Sequence, residues 1–257
     1  MIDYNAELLN HHDLSASFFH LDRNDPTVGF SFDASKVNGH TYPPALPSYE
    51  DPTASTGIQS NDSDDLFLRL RLGSHFAQHL RHQLEEHKGY SSTVGISTNK
   101  LISKLVGNVN KPKGQTTLVP PYMNTNHGTS NVTRFVDDHE IGKIPGIGFK
   151  IAQKIRNHVL GRPAAFSAGL VYGGTKENIK VKDVRTLDGM GPELLGGLLA
   201  GHGTPRDLGG RVWGLINGVD DNVVAKAKEV PQQISIVRYR LLDLNPCTDT
   251  SNRKTVI

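Results

Sequence analysis

Leu66, Leu70, Gly73, Ala77, Leu80 and Leu84 recur at helical spacing, so one face of this stretch is apolar. Ser63 precedes them as an N-cap, Asp64 and Asp65 fill an acidic first turn, and Lys88-Gly89 supplies a stop. The expectation is a helix over 63–88. Ser92, Thr93, Val94, Gly95 and Ile96 then read as a short buried strand, and Leu101, Ile102, Leu105 and Val106 as a helix face. Gln115 to Val119 reads as a second extended piece. Helix, strand, helix, strand in that order predicts an α/β layer with the helices on one sheet face.

The flanks differ. Residues 2–10 fit a short helix. From about 11 to 62 the pairs Asp25-Pro26, Pro43-Pro44 and Asp51-Pro52 deny any sustained period. Val28, Phe30 and Phe32 alternate like one strand, and the rest reads as a long loop insertion or disordered segment. After Pro120-Pro121 the chain becomes helical and glycine-punctuated. Ile144-Pro145-Gly146-Ile147-Gly148 predicts a tight turn feeding a helix over 149–159, with Ile147, Ile151, Ala152 and Ile155 inward and Lys150, Lys154 and Arg156 outward. Residues 161–182 look like a second insertion. Helices over about 191–200 and 206–217 follow, with no repeat of solenoid period.

Composition narrows the class. The 257 residues are 36% hydrophobic, and the mean hydropathy is −0.39, which describes a polar, loop-rich chain with room for one large or two ordinary domains. Cys247 is the one cysteine, which excludes an internal disulfide and a cysteine-based zinc site. No apolar run has the length of a membrane span, and the first residues lack the pattern of a signal peptide, so an intracellular, soluble protein is expected. Charge is more telling than its net of +2. Residues 1–65 hold eleven acids against Arg23 and Lys36, a net of −9, which leaves 26 basic and 15 acidic side chains, net +11, for the remainder. A basic body behind an acidic lead suits a polyanion partner, nucleic acid foremost.

Two stretches carry candidate chemistry. In the Pro145, Gly146, Ile147, Gly148, Lys150 string, two glycines around one apolar residue let the backbone turn with N–H groups outward at a helix N-terminus, and Lys150 adds charge. Such a hairpin holds a phosphate without reading bases. The second stretch, 97–119, contains Lys100, Lys104, Lys111 and Lys113 and no acid, which suits a triphosphate or a DNA backbone. Lys111, just before Pro112, is the prime phosphate ligand, with Lys104 on the preceding helix. His75 and His79 stand four apart, as metal ligands can, but no third ligand is evident and a solvated histidine face is the expected reading. Gly169 to Lys176 mimics a phosphate-binding loop with Lys and Thr in the wrong order.

The segment TVGISTNKLISKLVGNVNKPKGQTTL, residues 93–118, resembles the palm of Y-family translesion DNA polymerases, and the hairpin at 144–150 resembles their thumb motif. The run Trp213 to Asp221 resembles the end of that thumb, and Val230 to Ser235 the link to the little finger. The resemblance covers 1–10 weakly and about 63–236 well. It implies an α+β fold, an incomplete polymerase palm followed by an all-α thumb with a helix-hairpin-helix motif. Its divisions are 1–124 for the late palm, with the insertion at 11–62, 125–228 for the thumb, and 229–257 for a linker stub and disordered tail, the little finger being absent.

The same resemblance implies nucleotidyl transfer opposite damaged template bases in the nucleus, with Mg²⁺, a duplex primer-template and a deoxynucleoside triphosphate. Lys104 and Lys111 would meet the triphosphate, and Pro145, Gly146, Ile147, Gly148 and Lys150 the duplex. The family's metal-binding Asp-Glu pair has no counterpart here. No Asp-Glu dipeptide occurs, and the doublets Asp64-Asp65, Asp137-Asp138 and Asp220-Asp221 fall at other places. The expectation is therefore a fragment without catalytic or metal-binding residues. The rival is a non-catalytic module that binds DNA, damaged DNA included, without regard to sequence.

Overall fold

Glycine and small polar residues decide how the sheet is covered. A computed structural model describes residues 14–44, 62–124, 128–165 and 175–225. Strand β1 (Ser17–His20) pairs antiparallel with β2 (Gly29–Phe32). Strand β3 (His40–Tyr42) leads to helix α1 (Asp62–Lys88), and β4 (Val94–Ile96), α2 (Lys100–Val106) and β5 (Gln115–Leu118) follow. β3 and β4 flank β5, both parallel to it, in the order β3-β5-β4. A Cβ at Gly95 would collide with Ser103 O of α2, whereas the next residue, Ile96, points at Gly73 of α1. Successive strand residues face opposite ways. Helices α1 and α2 therefore cover opposite faces of the sheet, not one face as the sequence suggests. All four residues of β5 are buried, as a central parallel strand covered on both sides requires.

Residues 14–44 are more structured than expected. Val28 lies outside any strand; the alternating phenylalanines form one arm of a hairpin, and β3 joins the main sheet. Aromatic stacking fixes the hairpin on α1. Phe19 stacks on Phe30 (5.3 Å between ring centroids) and on Phe76 (5.0 Å), and Phe30 stacks on His79 (4.3 Å). The histidine face is thus not wholly solvated. His75 is buried, with Nε2 2.9 Å from Lys36 O and Nδ1 3.4 Å from Asn38 Nδ2. With both ring nitrogens directed at protein groups, the residue is a clamp on the 36–38 loop. Leu80 and Leu84, expected inside, are exposed, because the hairpin and sheet cover α1 only as far as Ala77 and His79.

One apolar core runs from Phe67 and Leu70 of α1 through Leu101, Ile102 and Leu118 into the C-terminal helices. Those helices are α3 (Asn131–Asp137), α4 (Phe149–Leu160), α5 (Val181–Arg185), α6 (Pro192–Leu199) and α7 (Leu208–Ile216). Helices α3 and α5 were not expected. Ser130 caps α3 by accepting from Thr133 N, and Asn99 caps α2 by accepting from Ile102 N. Asn99 also donates to Gly218 O at 2.7 Å, tying the start of α2 to the chain after α7. The presumed second insertion rejoins the fold, with Ile179 and Val181 buried. α6 and α7 pack backbone to backbone, since a Cβ at Gly209 would meet Gly196 N and Pro192 O. The described residues up to Asn222 form one compact unit. The helix expected over 2–10, the loop-like string at 169–174 and the stub and tail from 229 lie outside the described residues.

Candidate nucleic-acid interface

The turn at 144–147 is built from its residue types. Pro145 occupies the second position and Gly146, at φ 93°, the third, while Ile147 N donates to Ile144 O at 3.0 Å. That is a type II turn, whose third position needs the positive φ that glycine accepts. A side chain at Gly146 would also press on Leu215 Cδ1 at 2.9 Å. Ile147 is buried and pins the turn to the core.

Gly148 then N-caps α4 at φ −71° with no side-chain cap. The first-turn amides of a helix have no intrahelical partner, and here no side-chain oxygen from the cap competes for them. Gly148 and Lys150 are exposed, so the positive end of α4 opens to solvent beside an ammonium group that has no hydrogen bond or ion pair among the described residues.

The structure thus brings Pro145, Gly146, Ile147, Gly148 and Lys150 to one turn. Of the other two basic residues on α4, Lys154 donates to Leu198 O (3.1 Å) and Ala200 O (3.3 Å), stabilising the end of α6. Arg156, expected outside, is buried. Its Nε and Nη2 reach Glu140 Oε1 at 2.9 and 2.6 Å, and Glu140 Oε2 accepts from Gly142 N at 2.9 Å. A carboxylate partner inside the fold is what turned this guanidinium inward.

Lys104 and Lys111 lie in a different place, at the last turn of α2 and in the loop ahead of β5. Both are exposed, without a side-chain partner among the described residues. Lys113 is not part of an open cluster. It pairs with Glu85 at 2.8 Å, and hydrogen bonding from Lys113 holds the Glu85 carboxyl below its ordinary pKa.

The turn recurs ahead of another helix, at 187–190, which the sequence reading missed. Met190 N donates to Leu187 O at 3.0 Å across Gly189, at φ 74°, and Gly191 then N-caps α6. The shared signal is Gly-x-Gly ahead of a helix, Ile in one and Met in the other.

No family model matches the chain. DNA polymerase iota of Homo sapiens is 34% identical over 105 residues, which are 39% of this chain and 13% of that polymerase. DNA polymerase IV of Nitrosopumilus maritimus is 28% identical over 167 residues, 65% of this chain and 36% of the relative. DNA polymerase eta of Drosophila melanogaster is 30% identical over 134 residues, 50% of this chain and 14% of the relative. The chain's relatives are Y-family DNA polymerases. The matched part spans little more than a third of the relatives' length at most. Among solved structures the Dbh ternary complex aligns with 63% of this chain and 38% of its own, at 20% identity and a TM-score of 0.40.

The polymerase relatives imply a divalent metal, and the acids described here do not fit one. Asp137 is engaged by Arg185 Nε at 3.0 Å and Nη2 at 2.5 Å, and Asp138 by Lys180 at 3.3 Å. Asp220 accepts from Asn222 within its own turn. Among the described residues, no three His, Cys, Asp or Glu side chains converge. No helix there is long and apolar enough to cross a membrane.

Proposed function

We propose that this chain is part of a Y-family translesion polymerase and that its helical half holds duplex DNA by the phosphate backbone. The observation that carries the reading is the type II turn that opens the uncapped start of α4 beside Lys150. In this reading 1–124 is late palm, 125–228 is a thumb with a helix-hairpin-helix, and 229–257 is the stub of a link to a little finger. The backbone N–H groups of Gly146 and Gly148, with Lys150, take one phosphate of the primer-template duplex, Ile147 N being spent on the turn itself. Lys104 and Lys111 take the triphosphate of an incoming nucleotide in a complete enzyme, whose Mg²⁺ would be held by acids other than those described here. The eukaryotic relatives favour a nucleus as its place of work. Taken alone, the 257 residues bind DNA without extending a primer, because the chain carries no Asp-Glu pair.

The test exploits a feature of Gly148. A Cβ there meets no atom within 4 Å, and φ −71° suits any residue, so Gly148→Val leaves the turn intact and obstructs only an approaching phosphate. Duplex titrations by fluorescence anisotropy should give weak, sequence-indifferent binding. With two to four phosphates engaged, log K should fall on log salt with a slope of about −2 to −4. Gly148→Val should weaken binding more than Lys150→Ala. A folded Gly148→Val that binds like wild type would refute the hairpin as the phosphate site. Primer extension above background with Mg²⁺ or Mn²⁺ would refute the non-catalytic part.

A further inference from the structure

The sheet has an open side that is already shaped as a groove. Tyr42 O accepts from Val119 N at 2.9 Å, so Tyr42 turns its peptide groups towards β5. Strand alternation then aims the N–H and C=O of Thr41 the other way, where β3 is the edge of the sheet among the described residues. A cleft of about 950 Å³ lies there. All six residues of 39–44 line it, with α1 contributing Phe67 and Arg71, and α3 contributing Asn131 and Arg134.

The lining carries one sign of charge. Lys36, Arg71 and Arg134 line the cleft, with no Asp or Glu among the described lining residues. Arg71 is held in place, its Nη1 donating to Ser35 O at 3.0 Å and its guanidinium 4.9 Å over the Phe67 ring. Arg134 is exposed and makes no side-chain hydrogen bond or ion pair among the described residues. Asp33, Asp137 and Asp138, the acids nearest in sequence to the cationic lining residues Lys36 and Arg134, are paired with Lys36, Arg185 and Lys180. The apolar wall is proline, tyrosine, phenylalanine and valine, which accepts side chains pointing alternately from an extended backbone.

We propose that this groove takes an acidic extended peptide segment as a fourth strand beside β3. The Thr41 peptide groups pair with its backbone, and carboxylates on one side of the strand meet Arg134 and Arg71. Two observations select a strand over a compact anion. The cleft follows the strand edge along its length, every residue of 39–44 lining it, and its walls come from α1 on one face of the sheet and from the 109–110 loop after α2, the helix that covers the other. The proposal does not depend on DNA binding, because the hairpin at 144–148 contributes nothing to the lining.

The probe is a fluorescent seven-residue peptide alternating valine with aspartate or glutamate, titrated against the full 257-residue chain. Controls replace the acids by lysine, or N-methylate alternate residues so that one edge loses its N–H groups. The acidic peptide should bind at least tenfold more tightly than the lysine peptide, and amide exchange at Thr41 should slow when it is bound. Arg134→Glu, a change at an exposed side chain, should reverse the order of the two peptides. Binding that survives N-methylation on either edge, or leaves Thr41 exchange unchanged, overturns strand addition. So does protection of the groove residues by a free nucleotide with none by the peptide, which would make the cleft a nucleotide site. Duplex affinity measured in parallel should be the same with and without the peptide.

Discussion

The ion pair between Glu140 and Arg156 should decide the stability of the turn that leads into α4. The Arg156 side chain is 5% exposed and that of Glu140 19%, so the two are not equivalent. Glu140→Ala strands a buried guanidinium whose Nη1 already lacks a partner. It also removes the acceptor for Gly142 N, which fixes the single 3₁₀ turn Ile141–Lys143 ahead of the type II turn. Removing one partner of a buried pair costs about 3–5 kcal/mol. Arg156→Met leaves a carboxylate that water can reach and that keeps its bond to Gly142, so the loss should be nearer 1–3 kcal/mol, about that of a deleted charged hydrogen bond.

The double variant, Glu140→Gln with Arg156→Met, buries neither charge and should be more stable than Glu140→Ala alone. Urea unfolding followed by circular dichroism gives the order. Thermal midpoints should follow at about 2–4 °C per kcal/mol for a chain of this size. If Arg156→Met costs as much as Glu140→Ala, or both cost less than about 1 kcal/mol, the guanidinium is not the buried member and the reasoning fails.

Two adjacent glycines of α7 should respond oppositely to alanine. Gly209→Ala drives a methyl into Gly196 N and Pro192 O and should cost about 1–3 kcal/mol. At Gly210 a Cβ meets nothing within 4 Å, so Gly210→Ala should stabilise by about 0.4–1 kcal/mol; thermal denaturation of both variants checks the pair. Lys113→Ala should raise the Glu85 carboxyl towards its ordinary value, read by carbon-13 NMR titration. Its depressed pKa means that the Glu85 contribution is present above the unfolded value and lost as pH falls through the folded one, so wild type and Lys113→Ala should converge in stability at acid pH.

Local features were legible in the sequence and long-range ones were not. The helices around 63–88, 101–106, 149–159 and 206–217 are written in their own periodicity, and the turn at 144–147 in the pair Pro145 and Gly146. Strand β3 is three residues that run straight into Pro43-Pro44, too short for any period, and it exists because β5 offers a partner. Arg156 sits on the polar side of α4 in a helical projection and turns inward only because Glu140, sixteen residues earlier, waits there. His75 and His79 read as solvated for the same reason. Nothing near them in sequence announces that Phe30 and Phe32, more than forty residues away, will close over them. Covering both faces of the sheet hinges on Gly95, whose missing side chain is what lets α2 come so close.

The repeated turn shows why backbone shape alone does not make a phosphate site. At 144–148 and 187–191 the glycine positions and the 3.0 Å turn hydrogen bond agree, and each turn delivers a helix N-terminus. Electrostatics separates them. The first turn is followed by Lys150 in the opening turn of α4 and has no acid between Pro145 and Lys150. The second has Asp188 within the turn and Glu193 in the first turn of α6, so an anion meets two negative charges. Pro192 at the start of α6 also removes one of the backbone donors that would hold it. What the second turn achieves is packing. It starts α6 at the angle that lets Gly196 and Gly209 touch, and α7 in turn brings Leu215 beneath Gly146. One turn presents a surface and the other supports it from behind, a division set by four side chains around the same turn hydrogen bond.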